Sequence, residues 1–102
     1  MELIITQQDG VCTIKLNRPQ VFNSFNKAMA LALQAALDNC EKDENIRAIV
    51  LTGEGKAFCA GQDLAEATDP NGPALNSIVK DHYNPIILKI RSIEKPVIAA
   101  VN

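Results

Sequence analysis

The 102 residues, 47% of them hydrophobic, amount to one domain or less, with enough apolar mass for a small core. A formal net charge of −2 offers no polyanion-binding surface, so nucleic acid is not expected as a partner. The three cysteines, Cys12, Cys40 and Cys59, match no zinc spacing and the single histidine, His82, cannot complete one, so no metal is expected and reduced thiols fit best.

In chain order, MELIITQQDG carries no basic stretch followed by a long apolar run. No segment approaches the roughly 20 apolar residues of a membrane span, so the expectation is a soluble, cytoplasmic chain. ELIITQQ and VCTIKLN flank Asp9-Gly10, a pair that supplies the positive backbone angles of a tight hairpin. In the second run Cys12, Ile14 and Leu16 share one face, the pattern of a half-buried antiparallel strand. Pro19 stops that strand. Ser24 or Asn26 can then cap a helix whose Met29, Leu33, Ala36, Leu37 and Cys40 form one apolar stripe, ending near Asp43. Residues 47–52, Arg-Ala-Ile-Val-Leu-Thr, read as a parallel strand covered on both faces, which implies a β-α-β crossover.

A helical turn is expected from Asp63, and the turn-rich 67–73 is a candidate lid. Leu75, Ile78, Val79, Tyr83, Ile86, Ile87 and Ile90 keep helical spacing, with Pro85 expected to kink or split the helix. Val97 to Val101 reads as a second buried strand. Such a strand needs covering elements, so residues 1–102 are expected to be the N-terminal part of a larger domain, cut after the strand ending near 101.

Several motifs carry little chemistry. Gly53-Glu54-Gly55 follows a strand, but Phe58 stands where a dinucleotide loop needs its third glycine, and no GK[ST] follows. His82 lies among apolar helical positions and reads as a structural histidine. Cys59 has no neighbouring base and reads as a packed thiol. Asp63, directly after a glycine turn, reads as a helix cap before it reads as a base. The turn Ala60-Gly61 leaves two readings open. It can serve tight packing, or Gly61 can let a ligand approach so that the Gln62 N–H, at the start of a helix, binds an oxygen gaining negative charge.

Three segments resemble one family. Phe58-Cys-Ala-Gly-Gln-Asp-Leu64 resembles the oxyanion-loop signature of the crotonase (enoyl-CoA hydratase/isomerase) superfamily. Leu16-Asn-Arg-Pro19 with Asn23-Ser24 resembles its first CoA-binding loop, and Lys95 to Asn102 resembles the run into its second oxyanion donor. Gly61-Gln62-Asp63-Leu64, Asp69-Pro70 with Gly72-Pro73-Ala74, and Tyr83-Asn84-Pro85 further resemble the branch that isomerises ring epoxides of aromatic acyl-CoA thioesters.

The resemblance implies an α/β fold, the N-terminal part of a crotonase-like β-β-α spiral, acting as an isomerase or hydratase. The partner it implies is an acyl-CoA thioester, with no cofactor beyond the CoA of the substrate. By that likeness the Gln62 N–H holds the thioester oxygen and the backbone at Ala60 and Leu64 contacts the adenine, with Gly61 and Asp63 between them. The loop from Arg18 through Val21 to Phe22 borders the pantetheine and phosphates. Many relatives carry a basic residue in place of Val21, and Arg18 or Lys56 would have to compensate. The family's second donor lies just after the position of Asn102 and its carboxylates later still, so the 102 residues alone are expected to be inactive. A homo-oligomer, trimer or pair of trimers, is implied for the longer protein. Two other readings fit the same residues: a 2-enoyl-CoA hydratase of fatty-acid β-oxidation, or a non-catalytic CoA-binding module if the chain ends at 102.

Overall fold

The computed structural model describes residues 1–102. β1 (Leu3–Gln8) and β2 (Val11–Leu16) form the expected antiparallel hairpin, with Leu3 opposite Leu16 and Gln8 opposite Val11. Asp9 and Gly10 turn the corner at φ of 54° and 83°, the left-handed pair that a two-residue turn requires. Along β2, Cys12, Ile14 and Leu16 are buried and their neighbours are half-buried, as the alternation predicts.

Helix α1 (Lys27–Lys42) starts at Asn26, whose side-chain oxygen accepts from the Met29 N–H at 2.9 Å, and ends at Asp43. Of the two capping candidates, Asn26 is therefore the one used. The α1 stripe of Met29, Leu33, Ala36, Leu37 and Cys40 is buried together with Ala30. It packs on Leu3, Ile14 and Ile49 from the sheet and on Ile86 from the last helix. At its C-terminus Lys95 donates to the carbonyls of Cys40 and Asp43 at 2.6 and 2.9 Å, where a cation also suits the helix dipole. Burial, aided by the neighbouring Cys12 thiol, pushes the Cys40 thiol up to about 12, so Cys40 is an inert packing group, and Cys12 is buried beside it.

β3 (Ala48–Gly53) runs parallel to β2 and to β4 (Val97–Ala99), giving an open four-stranded sheet in the order β1-β2-β3-β4. Two expectations fail here. The parallel strands are covered on one face only within this chain, because α1 and Ile86 pack on the side of Ile49, leaving Val50 and Thr52 half-buried on the other. The final strand spans three residues rather than five. It occupies the sheet edge, and Ile98 and Val101 remain 53% and 71% exposed.

The helical stretch after the turn is also differently built. Short α2 (Leu64–Ala67) and α3 (Leu75–Ser77) precede a π-helical segment, Ile78–Tyr83, that runs into α4 (Asn84–Ser92). Pro85 cannot donate to a preceding carbonyl, and the wider π turn absorbs that loss without a break. Gln34 of α1 supplies the missing partners, donating to the Asp81 and His82 carbonyls at 2.8 and 3.1 Å. Of the expected stripe Ile78 and Ile86 are buried, with His82 between them, while Val79 and Ile87 turn outward. His82 is the structural histidine expected.

Because α1 carries the core, Leu33→Ala should destabilise the protein by about 3 kcal/mol, and Asn26→Ala, which removes only the cap, by about 1 kcal/mol. Urea denaturation followed by circular dichroism measures both; equal losses would place the helix's stability in its cap rather than its packing.

Candidate functional site

The segment from Ala57 to Leu64 leaves the sheet after β3 and is fastened to the loop between β2 and α1. Pro19–Val21 forms one 3-10 turn, and Phe22 and Asn23 follow it at φ of 53° and 58°. Two consecutive left-handed residues other than glycine are costly, and for a side chain as large as Phe22 especially so. Asn23 holds the shape from within. It is fully buried, accepts from the Arg18 N–H at 2.7 Å, and donates to the Glu54 and Ala57 carbonyls at 3.0 and 2.8 Å. Gly53 makes this possible, since a Cβ there would sit 2.5 Å from the Ala57 carbonyl oxygen and 2.9 Å from Asn23 Nδ2.

Backbone hydrogen bonds then set the turn. The Ala60 N–H donates to Phe22 O at 2.9 Å, the Phe25 N–H to Gly61 O at 2.7 Å, and the Asp63 N–H to Phe25 O at 2.8 Å. Phe25 and Gln62 thus form a one-residue parallel bridge. In extended backbone, successive N–H groups point to opposite edges, so the Gln62 N–H faces away from Phe25. It donates to no group in the chain, whereas the neighbouring Gly61 N–H lies 3.4 Å from Cys59 Sγ. Gly61 sits at φ of 117°, and a Cβ there would meet nothing within 4 Å, so the backbone beside that free N–H is open to approach.

The free N–H does not arise as the sequence suggested. Asp63, not Gln62, caps α2, accepting from the Ala65 and Glu66 N–H groups at 2.9 and 3.3 Å. The helix is a single turn, and Gln62 is aimed by its bridge to Phe25 rather than by a helix start. The other Asp63 oxygen accepts from Arg18 Nη2 at 2.8 Å, and Arg18 Nη1 donates to Ser24 O at 2.6 Å. Arg18 beside Asp63 holds that carboxyl below its ordinary value. Its oxygens are committed to capping and to the ion pair, as the capping reading of Asp63 requires. Glu66 completes the fastening by accepting from the first N–H of α1, at Lys27, at 2.9 Å.

All eight residues singled out in the sequence therefore meet along one seam. Arg18 and Asp63 form its polar strut, Ala60, Gly61 and Gln62 its backbone edge, and Val21, Phe22 and Leu64 its exposed apolar border. Lys56 is exposed next to Gly55, whose Cα packs close to Pro19. The largest cavity, about 460 Å³ between β1 and α1, touches none of these residues. A polar cleft of about 340 Å³ does reach Arg18 and Pro19. Residues not singled out in the sequence also matter. Asn23 and Phe25 position the seam, and Tyr83 donates its hydroxyl to Gln62 Oε1 while its ring meets Phe25 edge-on at 5.9 Å.

The enoyl-CoA hydratase/isomerase family model matches residues 6–102, and the chain belongs to that family. It is 46% identical to a 1,2-epoxyphenylacetyl-CoA isomerase of Escherichia coli over all of its own length and 40% of that protein's. A 4-chlorobenzoyl-CoA dehalogenase of an Arthrobacter species is 40% identical across 96% of the chain and 37% of its own length. The crystal structure of an enoyl-CoA hydratase from Mycobacterium smegmatis superposes with a TM-score of 0.85 at 39% identity, covering 99% of this chain and 40% of the other. The chain thus spans about two-fifths of the relatives it matches.

The Arg18–Asp63 pair has a pH signature. Because the folded-state pKa of Asp63 is depressed, its stabilisation is complete above the ordinary carboxylate value of about 3.9 and is lost as pH falls toward the folded value. Asp63→Asn keeps a capping oxygen but loses the charge, and should cost about 2 kcal/mol at neutral pH. The stability difference between variant and parent, from urea titrations at several pH values, should stay level above about pH 5 and shrink below about pH 4. A difference independent of pH would remove the ion pair from the stability of the seam.

Proposed function

We propose that the chain supplies the first oxyanion donor and much of the CoA-binding surface of an acyl-CoA isomerase, the Gln62 N–H being the donor. The observation that carries this reading is the free Gln62 N–H beside open backbone at Gly61, held rigid by the Phe25 bridge. A thioester carbonyl oxygen placed there would accept that hydrogen bond, and as the reaction makes it enolate-like the bond would strengthen. A donor fixed before the reaction needs no reorganisation when charge develops, and one such donor is worth on the order of 3 kcal/mol. Exposed Ala60 and Leu64 are suited to face the adenine, and Val21 and Phe22 to line the pantetheine. Arg18, tied to Asp63 and Ser24, would hold the loop in place, leaving exposed Lys56 as the cation for a phosphate where Val21 offers none.

The reaction this likeness favours is isomerisation of ring 1,2-epoxyphenylacetyl-CoA to its oxepin, a ring expansion that neither gains nor loses atoms. It is supported by the identity to the bacterial isomerase and by Gly61-Gln62-Asp63-Leu64. The full-length protein should rearrange that epoxide faster than it hydrates crotonyl-CoA, as a coupled spectrophotometric comparison would measure. Hydration faster by about tenfold or more would assign the chain to the hydratases of its family instead.

Backbone and side chain can be separated at Gln62. Alanine keeps the N–H and proline removes it, so in the full-length enzyme Gln62→Pro should lower kcat about a hundredfold beyond Gln62→Ala. Proline also restricts Gly61, so circular dichroism and CoA affinity must accompany the rates. Equal losses in two folded variants would sink the assignment of the N–H as the oxyanion donor.

A further inference from the structure

We propose that Gln62 carries a second donor for substrate, its side-chain Nε2, which donates to an oxygen on the acyl group beyond the thioester and so selects oxygen-bearing acyl chains over hydrocarbon ones. The inference rests on the reading of Gln62 as the oxyanion residue and names the substrate class for that site.

Gln62 Nε2 is the one buried side-chain nitrogen or oxygen without a hydrogen-bond partner in the chain. Leaving an amide N–H in that condition costs free energy comparable to a lost hydrogen bond, so the position is unfavourable unless something completes it. Neither the bridge nor the helix cap uses the amide nitrogen. The bridge to Phe25 is made by the backbone of Gly61 and Asp63, and the cap of α2 by the Asp63 carboxylate. Alanine at 62 would satisfy both.

The amide is nevertheless held in one orientation. The Tyr83 hydroxyl donates to Oε1, which leaves Nε2 as the unpaired end. Burial, with the charges of Cys59 and Glu66, raises the Tyr83 pKa, so the phenol keeps the proton it donates. The Tyr83 ring in turn rests edge-on against Phe25, at 5.9 Å and 73°. Phe25 therefore positions both potential donors of Gln62, the backbone N–H through the bridge and the side-chain amide through Tyr83.

A fixed, buried donor discriminates strongly. An acyl group with an ether, epoxide or hydroxyl oxygen within reach pairs with Nε2, whereas a hydrocarbon analogue of the same shape leaves it unpaired, and sites of this kind reject the analogue. A ring epoxide and the oxepin formed from it each keep such an oxygen, so the contact would persist from substrate to product.

The test uses the full-length protein and two nearly isosteric ligands, 2-hydroxyphenylacetyl-CoA and 2-methylphenylacetyl-CoA, titrated by calorimetry. The readout is the ratio of the two affinities on one protein, in which any general loss of binding cancels. The parent should favour the hydroxyl ligand at least about tenfold. Gln62→Leu should bring the ratio close to one, and Tyr83→Phe, which frees the amide to turn, should bring it part of the way. A parent ratio near one, or a ratio unmoved by Gln62→Leu, overturns the inference and leaves the CoA-binding reading standing. If neither ligand binds, that reading falls as well. A Gln62→Leu protein with a lower Tm without ligand and an unmoved ratio would assign Nε2 to the remainder of the longer chain, which also overturns it. Should Gln62→Leu fail to fold, the parent ratio and Tyr83→Phe still decide the matter.

Discussion

Two backbone hydrogen bonds from one residue govern the candidate site. The Phe25 N–H and carbonyl grip Gly61 O and the Asp63 N–H, and everything chemically interesting lies between those two anchors. Each bond contributes only about 1 kcal/mol to stability, but together they fix the intervening peptide in direction as well as position. A single bond would leave the Gln62 peptide free to rotate about it. With both made, the N–H is held on the open edge.

That bridge needs the β2–α1 loop to arrive in the right place, and the loop is strained where it does so. Phe22 occupies a left-handed conformation that its large side chain disfavours, and Asn23, which tolerates one, follows it there. Asn23 offsets the cost with three hydrogen bonds made by a fully buried side chain, where each is stronger than it would be at the surface. The strain has a geometric result. It brings the Phe22 carbonyl to the Ala60 N–H and swings Phe25 alongside Gln62, so two segments almost 40 residues apart in the chain act as one edge.

Much of the scaffold was legible in the sequence because its signals are local. Asp9-Gly10, the alternation of Cys12, Ile14 and Leu16, and the stripe from Met29 to Cys40 each follow from neighbouring residues, and the structure places each as read. Long-range covering was legible in part. The apolar runs of β3 and β4 read as strands that need cover on both faces, and within residues 1–102 α1 and Ile86 cover one face of the sheet while Ile98 of β4 stays exposed. The π segment was not legible either, and of the apolar positions read there as one stripe Ile78 and Ile86 are buried while Val79 and Ile87 are exposed. At the site, spacing left the turn at Ala60-Gly61 open between packing and ligand approach, and the family resemblance singled out the residues around it. They could not reveal the Arg18–Asp63 pair, the Phe25 bridge or the Tyr83 anchor, which join residues 20 or more positions apart. Asn23 left the one usable trace, since asparagine is among the few residues at ease in left-handed backbone.

The division of labour between sheet and loops follows from these bonds. The sheet buries its apolar face against α1 and so supplies rigidity, but its strands end before the candidate donor, which no ladder hydrogen bond could leave free. A free N–H must sit where backbone pairing has stopped, and the pairing that positions it must come from one neighbour on one side only. The Phe25 bridge meets that condition with the least possible sheet, a single residue. Apolar Val21, Phe22 and Leu64 remain exposed around it, at 37%, 54% and 72%, although burying them would stabilise the chain. Stability is thus concentrated behind the seam, in α1 and β2, while the seam itself is held by polar bonds that fix geometry and leave its outer surface uncovered.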